Sequence, residues 1–486
     1  MTTNGADILD PTTFIPDLLY TGGRFRRGLA LVCGADGRVV SVERVEELSE
    51  QSNAVRLRNR ALLPGMVNAH SHAFQRVIRG RTEYRGAAAS DSFWTWREMM
   101  YAAARRLTPE DIYDASRMAF MEMALSGITS VGEFHYLHRA PEGDEYTDPN
   151  LLALEVVRAA RDVGLRIALL RVAYARAGFN KEPDPRQLRF IEPDPSTFIR
   201  HVESLAHTLE GDPHAWVGVA PHSVRAVPVE YLREVSAFAR AASVPVHMHV
   251  AEQPAEVEAC VAETGRTPVA LLADEGVLSP RFTGVHAVHV MPEEVALLSK
   301  ARAFVCACPT TERNLGDGVV PADLYFKEGV RVALGTDSHT QIDLLEDARG
   351  LEYHLRLKTL RRNVLAPAAP WVEDESGREG TPEVAALAAR LFECATVAGA
   401  GSIGADAGQF EPGSAADFFT VDLDDPTIAG ASAEDLLPAI VFSLSRAAVR
   451  ETAVGGRLVV EAARHPAQDD IVSRFNALQR KLWGNV

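Results

Sequence analysis

Leu63-Pro64-Gly65-Met66-Val67-Asn68-Ala69-His70-Ser71-His72 decides the reading of this 486-residue chain. Pro64-Gly65 is a turn, and Met66-Val67 opens a short buried strand. His70 and His72 stand two apart, so on a strand both imidazoles leave the same face. Two neutral imidazoles at a strand end can bind a divalent metal as a pair. With 15 histidines in the chain, such a pair also arises by chance as a polar strand end, so its meaning depends on whether partner residues stand further along the chain.

Three stretches downstream repeat the pattern. Val244-Pro245-Val246-His247-Met248-His249-Val250-Ala251-Glu252 ends a strand in a second His-x-His, with Glu252 three residues beyond His249. Gly284-Val285-His286-Ala287-Val288-His289 is another strand end with histidine, and Val330-Arg331-Val332-Ala333-Leu334-Gly335-Thr336-Asp337-Ser338 ends in aspartate. Each follows an apolar, β-branched run. Four such coincidences are much harder to attribute to chance than one.

Around these stretches, residues 64–404 alternate strands with helices. Strands are predicted at 66–70, 130–135, 167–172, 216–221, 244–249, 284–289, 304–308 and 330–335. Helical patterns fall at 108–125, 149–163, 228–242 and 292–301, two of them opened by Pro109-Glu110 and Pro292-Glu293. Eight βα units predict an α/β fold, a TIM-type (β/α)8 barrel. An open doubly wound sheet is the alternative, but no Gly-x-Gly-x-x-Gly comes after the first strand. In a barrel the strand C-termini share one mouth, so His70, His72, His249, His286 and Asp337 converge there.

The ends of the chain, 1–63 and 405–486, read as short strands and turns. Asp36-Gly37 is a hairpin signal, 417–422 is a strand, and Gly455-Gly456 turns between two more. Together they predict a small β-sandwich domain built from both ends, with an amphipathic helix at 467–483 as packing. Residues 176–195, rich in Pro and Arg, read as a loop over the mouth, and 365–380 as a surface excursion.

Composition bounds the function. The net charge of −16, with no basic stripe, argues against a nucleic-acid partner. It also requires a local cluster of arginines for any anionic substrate. No apolar run approaches the roughly 18–20 residues of a membrane span, and Met1-Thr2-Thr3-Asn4-Gly5-Ala6-Asp7 lacks the pattern of a secretory signal. Cys33, Cys260, Cys306, Cys308 and Cys394 are odd in number and sit in apolar surroundings. They read as reduced, buried thiols of a cytoplasmic protein. Cys306-Ala307-Cys308 has no second cysteine pair to complete a soft-metal site.

Three imidazoles plus a carboxylate suit Zn²⁺ with a position left for water, whose pKa the ion can bring down to about 7. Asp337 can both coordinate and accept a hydrogen bond from that water. Glu252 could carry a proton to a leaving nitrogen, and His286 could orient the nucleophile and stabilise charge. Taken singly, His286 or His289 also reads as a satisfied core histidine, and Glu252 as an acid at a helix N-terminus.

The whole set, His-x-His on the first strand, histidines on the fifth and sixth and aspartate on the eighth, resembles the amidohydrolase superfamily. The fourth strand, Trp216-Val217-Gly218-Val219-Ala220-Pro221-His222, carries no lysine of the kind that bridges two metals in binuclear members, which implies one metal. His70-Ser71-His72-Ala73-Phe74-Gln75-Arg76, Asp91-Ser92-Phe93-Trp94-Thr95-Trp96-Arg97-Glu98, Gly132-Glu133-Phe134-His135-Tyr136 and Pro221-His222-Ser223-Val224-Arg225 are similar to the N-formimidoyl-L-glutamate deiminases of histidine degradation. That family hydrolyses the formimidoyl C=N bond to give N-formyl-L-glutamate and ammonia.

The resemblance implies one Zn²⁺ per chain on His70, His72, His249 and Asp337, with Glu252, His286 and Asp337 in proton transfer. It implies Gln75, Arg97, Tyr136, His222 and Arg225 as contacts to a small-molecule dicarboxylate, with Arg81 and Arg85 close in sequence to Arg97. Arg97 is expected in the loop region after the first strand. By analogy it also implies a homodimer. The chemistry agrees, because two carboxylates need several donors at one end of a pocket and guanidinium–carboxylate pairing gives geometric selection. The alternative is another mononuclear aminohydrolase, acting on guanine, a thioadenosine-like nucleoside or a triazine; a scaffold that has lost its metal is a third reading.

Overall fold

The computed structural model describes residues 11–48, 53–84, 92–179, 181, 184–367 and 385–484. Its strands run in two sheets. One contains β1 (Thr12–Thr21), β2 (Arg24–Arg26), β3 (Leu29–Cys33), β4 (Val39–Arg44) and β5 (Ala54–Pro64), joined by β14 (Phe418–Asp422), β15 (Val449–Val454) and β16 (Arg457–Val460). The other is parallel and runs β6 (Met66–Ser71), β7 (Ile128–His135), β8 (Arg166–Ala173), β9 (Ala215–Pro221), β10 (Val246–Val250), β11 (Phe282–His286), β12 (Phe304–Ala307) and β13 (Arg331–Leu334) in unbroken order.

The parallel sheet closes on itself. Ser71 bridges Asp337, the His72 N–H donates to Asp337 O at 3.1 Å, and the Asp337 N–H donates to His70 O at 3.0 Å. Closure therefore ties the first and last strand ends together at the residues expected to bind metal. Barrel strands are covered on both faces, so β6, β7 and β8 are buried along their whole length and read as nearly continuous apolar runs. All eight predicted strands are present, with ends shifted by up to three residues.

The chain enters the barrel through Gly65. A Cβ there would lie 2.4 Å from Thr129 Oγ1, so only glycine lets β5 turn into β6 this close to β7.

The small sandwich is made by one curled sheet. Its strand order is β16-β15-β14-β5-β1-β3-β4, yet the turn at Gly37 meets the turn at Gly455, with a Cβ on Gly37 only 3.2 Å from Gly455 Cα. The two end hairpins thus fold over a shared core that includes Phe14, Leu31, Leu62 and Phe418. The terminal helix Gln468–Trp483 packs against the helix Pro109–Leu125, where Arg117 pairs with Asp470 and Lys481 with Asp111.

Two expectations change. Arg97 lies on a helix, Phe93–Ala104, because Ser92 and Thr95 form a capping box that starts it. Residues 386–403 are apolar enough over 18 residues to match a membrane span in composition, but they fold as two short helices, Ala386–Cys394 and Val397–Ile403. The second of these packs on β6. Of the excursion at 365–380, only 365–367 lie among the described residues; Arg85, Asp91 and the N-terminal stretch also lie outside them.

Candidate active site

The ends of β6, β10 and β13 bring four donor groups together. His70 Nε2 lies 3.1 Å from His72 Nε2 and 3.2 Å from His249 Nε2, and Asp337 Oδ1 lies 3.4 Å and 3.2 Å from the first two. The four ligand atoms all fall within 4.8 Å of one another. Donors on a tetrahedron with bonds of about 2.0–2.1 Å sit roughly 3.3 Å apart, so the set fits a zinc-sized cation. Three imidazole nitrogens cannot satisfy each other at this spacing once their protons lie on the far side of the rings. That is where two of them lie: His72 Nδ1 donates to Phe134 O at 2.9 Å and His249 Nδ1 to His222 O at 3.3 Å, which directs both Nε2 lone pairs inward.

Burial holds the His70 imidazole down to about 3 and pushes His249 well below its ordinary value, so both are neutral and ready to coordinate. Burial acts to raise the Asp337 carboxyl, but the neighbouring imidazoles of His70, His72 and His286 hold it well below the usual range. Asp337 and His286 adopt left-handed backbone angles, φ of +46° and +68°, a strain that concentrates at functional sites. Gly335 lets β13 approach His70, since a Cβ there would lie 2.8 Å from the His70 Cβ.

Beside the cluster, His286 is surrounded by carboxylates. Its Nδ1 faces Glu312 Oε1 at 3.3 Å, and its Nε2 lies 3.7 Å from both Glu252 Oε1 and Asp337 Oδ2. Burial alone would lower His286, but Glu252, Glu312 and Asp337 hold it well above its ordinary value. Burial also raises Glu252, with Asp337 adding to it and His286 opposing. The two shifts depend on one another, which places an imidazole and a carboxyl that can share and pass on a proton at the mouth.

A pocket opens from this centre. His72, His249, Glu252, His286 and Asp337 form its floor, and Gln75, Arg97, Tyr136, His222 and Arg225 all line it. The expected substrate contacts and proton-transfer residues therefore reach one site. Gln75 Nε2 donates to the Tyr136 hydroxyl at 2.8 Å. Among the described residues neither Arg97 nor Arg225 pairs with a carboxylate, and Arg225 Nη1 is buried without a partner. Arg81 is engaged elsewhere, with Gln479 and over the Trp483 ring.

His289 takes the structural role. Its Nε2 donates to Asp317 O at 2.8 Å and fixes the turn after the helix Pro309–Leu315.

Several neighbours were not legible in the sequence. Glu312 orients His286 while accepting the Cys308 N–H at 2.8 Å. Glu133 accepts from Ser71 Oγ at 2.5 Å and from the Ala73 N–H at 2.7 Å, bracing the turn that carries His72. Asp317, drawn up by burial to about 9, accepts from Gln253 and lies close to Glu252 and His286. Phe93, Trp96, Tyr101, Tyr174 and Phe190 complete the pocket wall. The string around Glu312, Cys308-Pro309-Thr310-Thr311-Glu312-Arg313-Asn314, comes directly after a strand end and was the available signal.

The chain belongs to the amidohydrolase family, whose model matches residues 61–459. Amidohydrolases are metal-dependent, and the three histidines with Asp337 form a four-donor cluster suited to an ion, the largest such group among the described residues. A formimidoylglutamate deiminase from Pseudomonas aeruginosa is 38% identical over 416 residues, covering 85% of this chain and 88% of that protein. A 5-methylthioadenosine/S-adenosylhomocysteine deaminase from Natronomonas pharaonis is 29% identical over 406 residues, covering 82% of this chain and 81% of its own length. The crystal structure of an amidohydrolase from Brucella melitensis superposes with a TM-score of 0.85 at 34% identity, covering 97% of this chain and 99% of that one.

Proposed function

We propose that this protein hydrolyses N-formimidoyl-L-glutamate to N-formyl-L-glutamate and ammonia, a step of histidine degradation. The observation that carries the proposal is the pair of arginines. In a chain of net charge −16, Arg97 and Arg225 line one pocket without carboxylate partners among the described residues. Leaving a buried guanidinium N–H unpaired is costly, and an anionic ligand removes that cost. N-formimidoyl-L-glutamate carries one carboxylate beside its formimidoyl nitrogen and a second at the end of its side chain, and both arginines share the pocket with the histidine cluster.

His70, His72, His249 and Asp337 would hold one Zn²⁺. When bound, the ion supplies Lewis acidity and lowers the pKa of a water towards about 7. Asp337 Oδ2 faces His286 and accepts the proton of the attacking water. Glu252 delivers a proton to the nitrogen that leaves as ammonia, and His286, held by Glu312, steadies the charge on the attacking oxygen. Gln75, Tyr136, His222, Arg97 and Arg225 bind the dicarboxylate end and keep the formimidoyl carbon over the centre.

On the same reading the barrel domain spans 64–404, the small domain 1–63 with 405–486, and the protein acts as a cytoplasmic homodimer without nucleic acid. A purine-type aminohydrolase is the second reading. The aromatic wall of Phe93, Trp96, Tyr101, Tyr174 and Phe190 favours it, while two arginines without carboxylate partners among the described residues do not.

Replacing Arg225 with methionine tests the assignment. A charge-assisted hydrogen bond contributes about 1.5–3 kcal/mol, so R225M should lose roughly 10- to 100-fold in kcat/KM with metal content retained. On an analogue lacking one carboxylate the two proteins should differ far less. An equal penalty on both compounds would mean that Arg225 does not read that carboxylate.

A further inference from the structure

Three side chains that the proposed chemistry leaves unused form one hydrogen-bonded unit in the pocket wall. Gln187, on the short 3-10 helix Pro185–Phe190 above the mouth, is 1% exposed. Its Nε2 donates to the Tyr101 hydroxyl at 2.7 Å and to the Tyr174 hydroxyl at 2.9 Å. Tyr101 accepts a second bond, from Arg97 Nε. Both tyrosines are buried, at 4% and 2% exposure, and both line the pocket beside Arg97 and Arg225.

The orientation of the amide matters. With its NH2 group facing the tyrosines, Gln187 leaves one buried carbonyl oxygen, Oε1, without a partner. Turned over, it would leave two amide hydrogens without partners in that place, and orphaned N–H groups are rarer and costlier than under-used carbonyl oxygens. In the favoured orientation both phenol oxygens act as acceptors towards the wall. A phenol has one hydrogen of its own to donate. Tyr101 has accepted two N–H bonds, and neither Tyr101 nor Tyr174 donates to a protein acceptor among the described residues. The free side of each hydroxyl is the pocket.

We propose that Tyr101 and Tyr174 are substrate-binding residues whose O–H groups donate to a carboxylate held by Arg97 and Arg225, and that Gln187 is the positioning residue that turns both hydroxyls towards it. The inference rests on the dicarboxylate reading above and extends it to residues outside the set chosen from the sequence. It gives the arginines a second kind of donor: a guanidinium supplies charge and a planar fork, and the fixed O–H groups complete the remaining lone pairs of the carboxylate. It also gives the 185–190 segment a function beyond covering the mouth, because the segment carries the part that sets donor direction.

The test uses the zinc-loaded full-length protein. Tyr101→Phe, Tyr174→Phe and Gln187→Met keep side-chain size. Two quantities are read: kcat and KM on N-formimidoyl-L-glutamate, and the Kd of glutarate by calorimetry, which needs no turnover. Each Tyr→Phe variant should weaken glutarate about 10- to 100-fold, with the loss in turnover falling on KM more than on kcat. Q187M should cost about tenfold in the parent and less than about twofold in the Y101F/Y174F background, since its role runs through the two hydroxyls.

If the parent turns over formimidoylglutamate but both Tyr→Phe variants bind glutarate within about twofold of it, the tyrosine proposal is overturned and the functional reading stands. An equal cost of Q187M in both backgrounds overturns its positioning role. If the parent binds glutarate with the expected dependence on the tyrosines yet releases no ammonia from formimidoylglutamate, the subsite stands and the reading fails. A parent that binds no dicarboxylate overturns both.

Discussion

Glu252 and Glu312 approach His286 from opposite sides, and they differ in how visible they are in the sequence. Glu252 comes three residues after His249, so a ligand strand announces it. Glu312 lies 26 residues beyond His286 on a different element, and no spacing rule connects them; only the parallel pairing of β11 with β12 does. The same holds for Gln187, which reaches the pocket from the loop after β8. Metal ligands are legible because alternation on a strand fixes their face, whereas partners supplied by loops carry no period. At this scale Glu252→Gln should retain metal while kcat falls about 10²- to 10⁴-fold, the usual value of positioned proton transfer. Steady-state kinetics beside metal analysis checks it. A loss below about tenfold with full metal would mean that another group carries the proton.

Among the elements, the eight barrel strands were legible as short apolar runs, four of them ending in a chemically distinctive residue. The helix Phe93–Ala104 was not. Its sequence, Phe-Trp-Thr-Trp-Arg, is rich in aromatic and β-branched residues of low helix propensity, and the capping box with packing over the mouth overrides that preference. The segment ending in Phe190 is held by a buried pair behind the barrel. Arg171 Nη2 lies 3.1 Å from Glu192 Oε1, His201 Nδ1 lies 3.1 Å from Glu192 Oε2, and both Arg171 and Glu192 are almost fully buried.

Burial acts to raise the Glu192 carboxyl, but His201 and Arg171 outweigh it and hold it down to about 2. A carboxyl depressed in the folded state contributes stability above its unfolded value, near 4.5, and that stability is lost as the pH falls towards 2. The contribution is on the order of 3 kcal/mol. Glu192→Gln should therefore be less stable at pH 7, because Arg171 is left buried without its carboxylate. Chemical denaturation as a function of pH should show a flatter loss of stability for the variant between about pH 4.5 and 2. Parallel curves for variant and parent would remove Glu192 from this role.

For the whole molecule, the two-part plan was readable from the strand-rich ends and the alternating middle. That a single sheet curls to make the small sandwich was not, because the contact between Gly37 and Gly455 joins turns more than 400 residues apart in sequence. Closure has a thermodynamic consequence as well. The four donors come from the first, fifth and eighth strands, so an ion that binds them binds only the closed barrel and stabilises it by mass action, about 4 kcal/mol at a thousandfold excess over Kd. Chelation should lower Tm, and zinc should restore it. An unchanged Tm on complete metal removal would show that the cluster does not couple metal to the fold.

The most direct measurement of the central claim is ammonia release by the purified protein from N-formimidoyl-L-glutamate, run beside guanine and a thioadenosine-type nucleoside, with metal content determined on the same sample. The expected result is about one zinc per chain and rapid ammonia release from formimidoylglutamate, with turnover of the two purine compounds lower by orders of magnitude. Full zinc occupancy with preferential release of ammonia from either purine compound would contradict it.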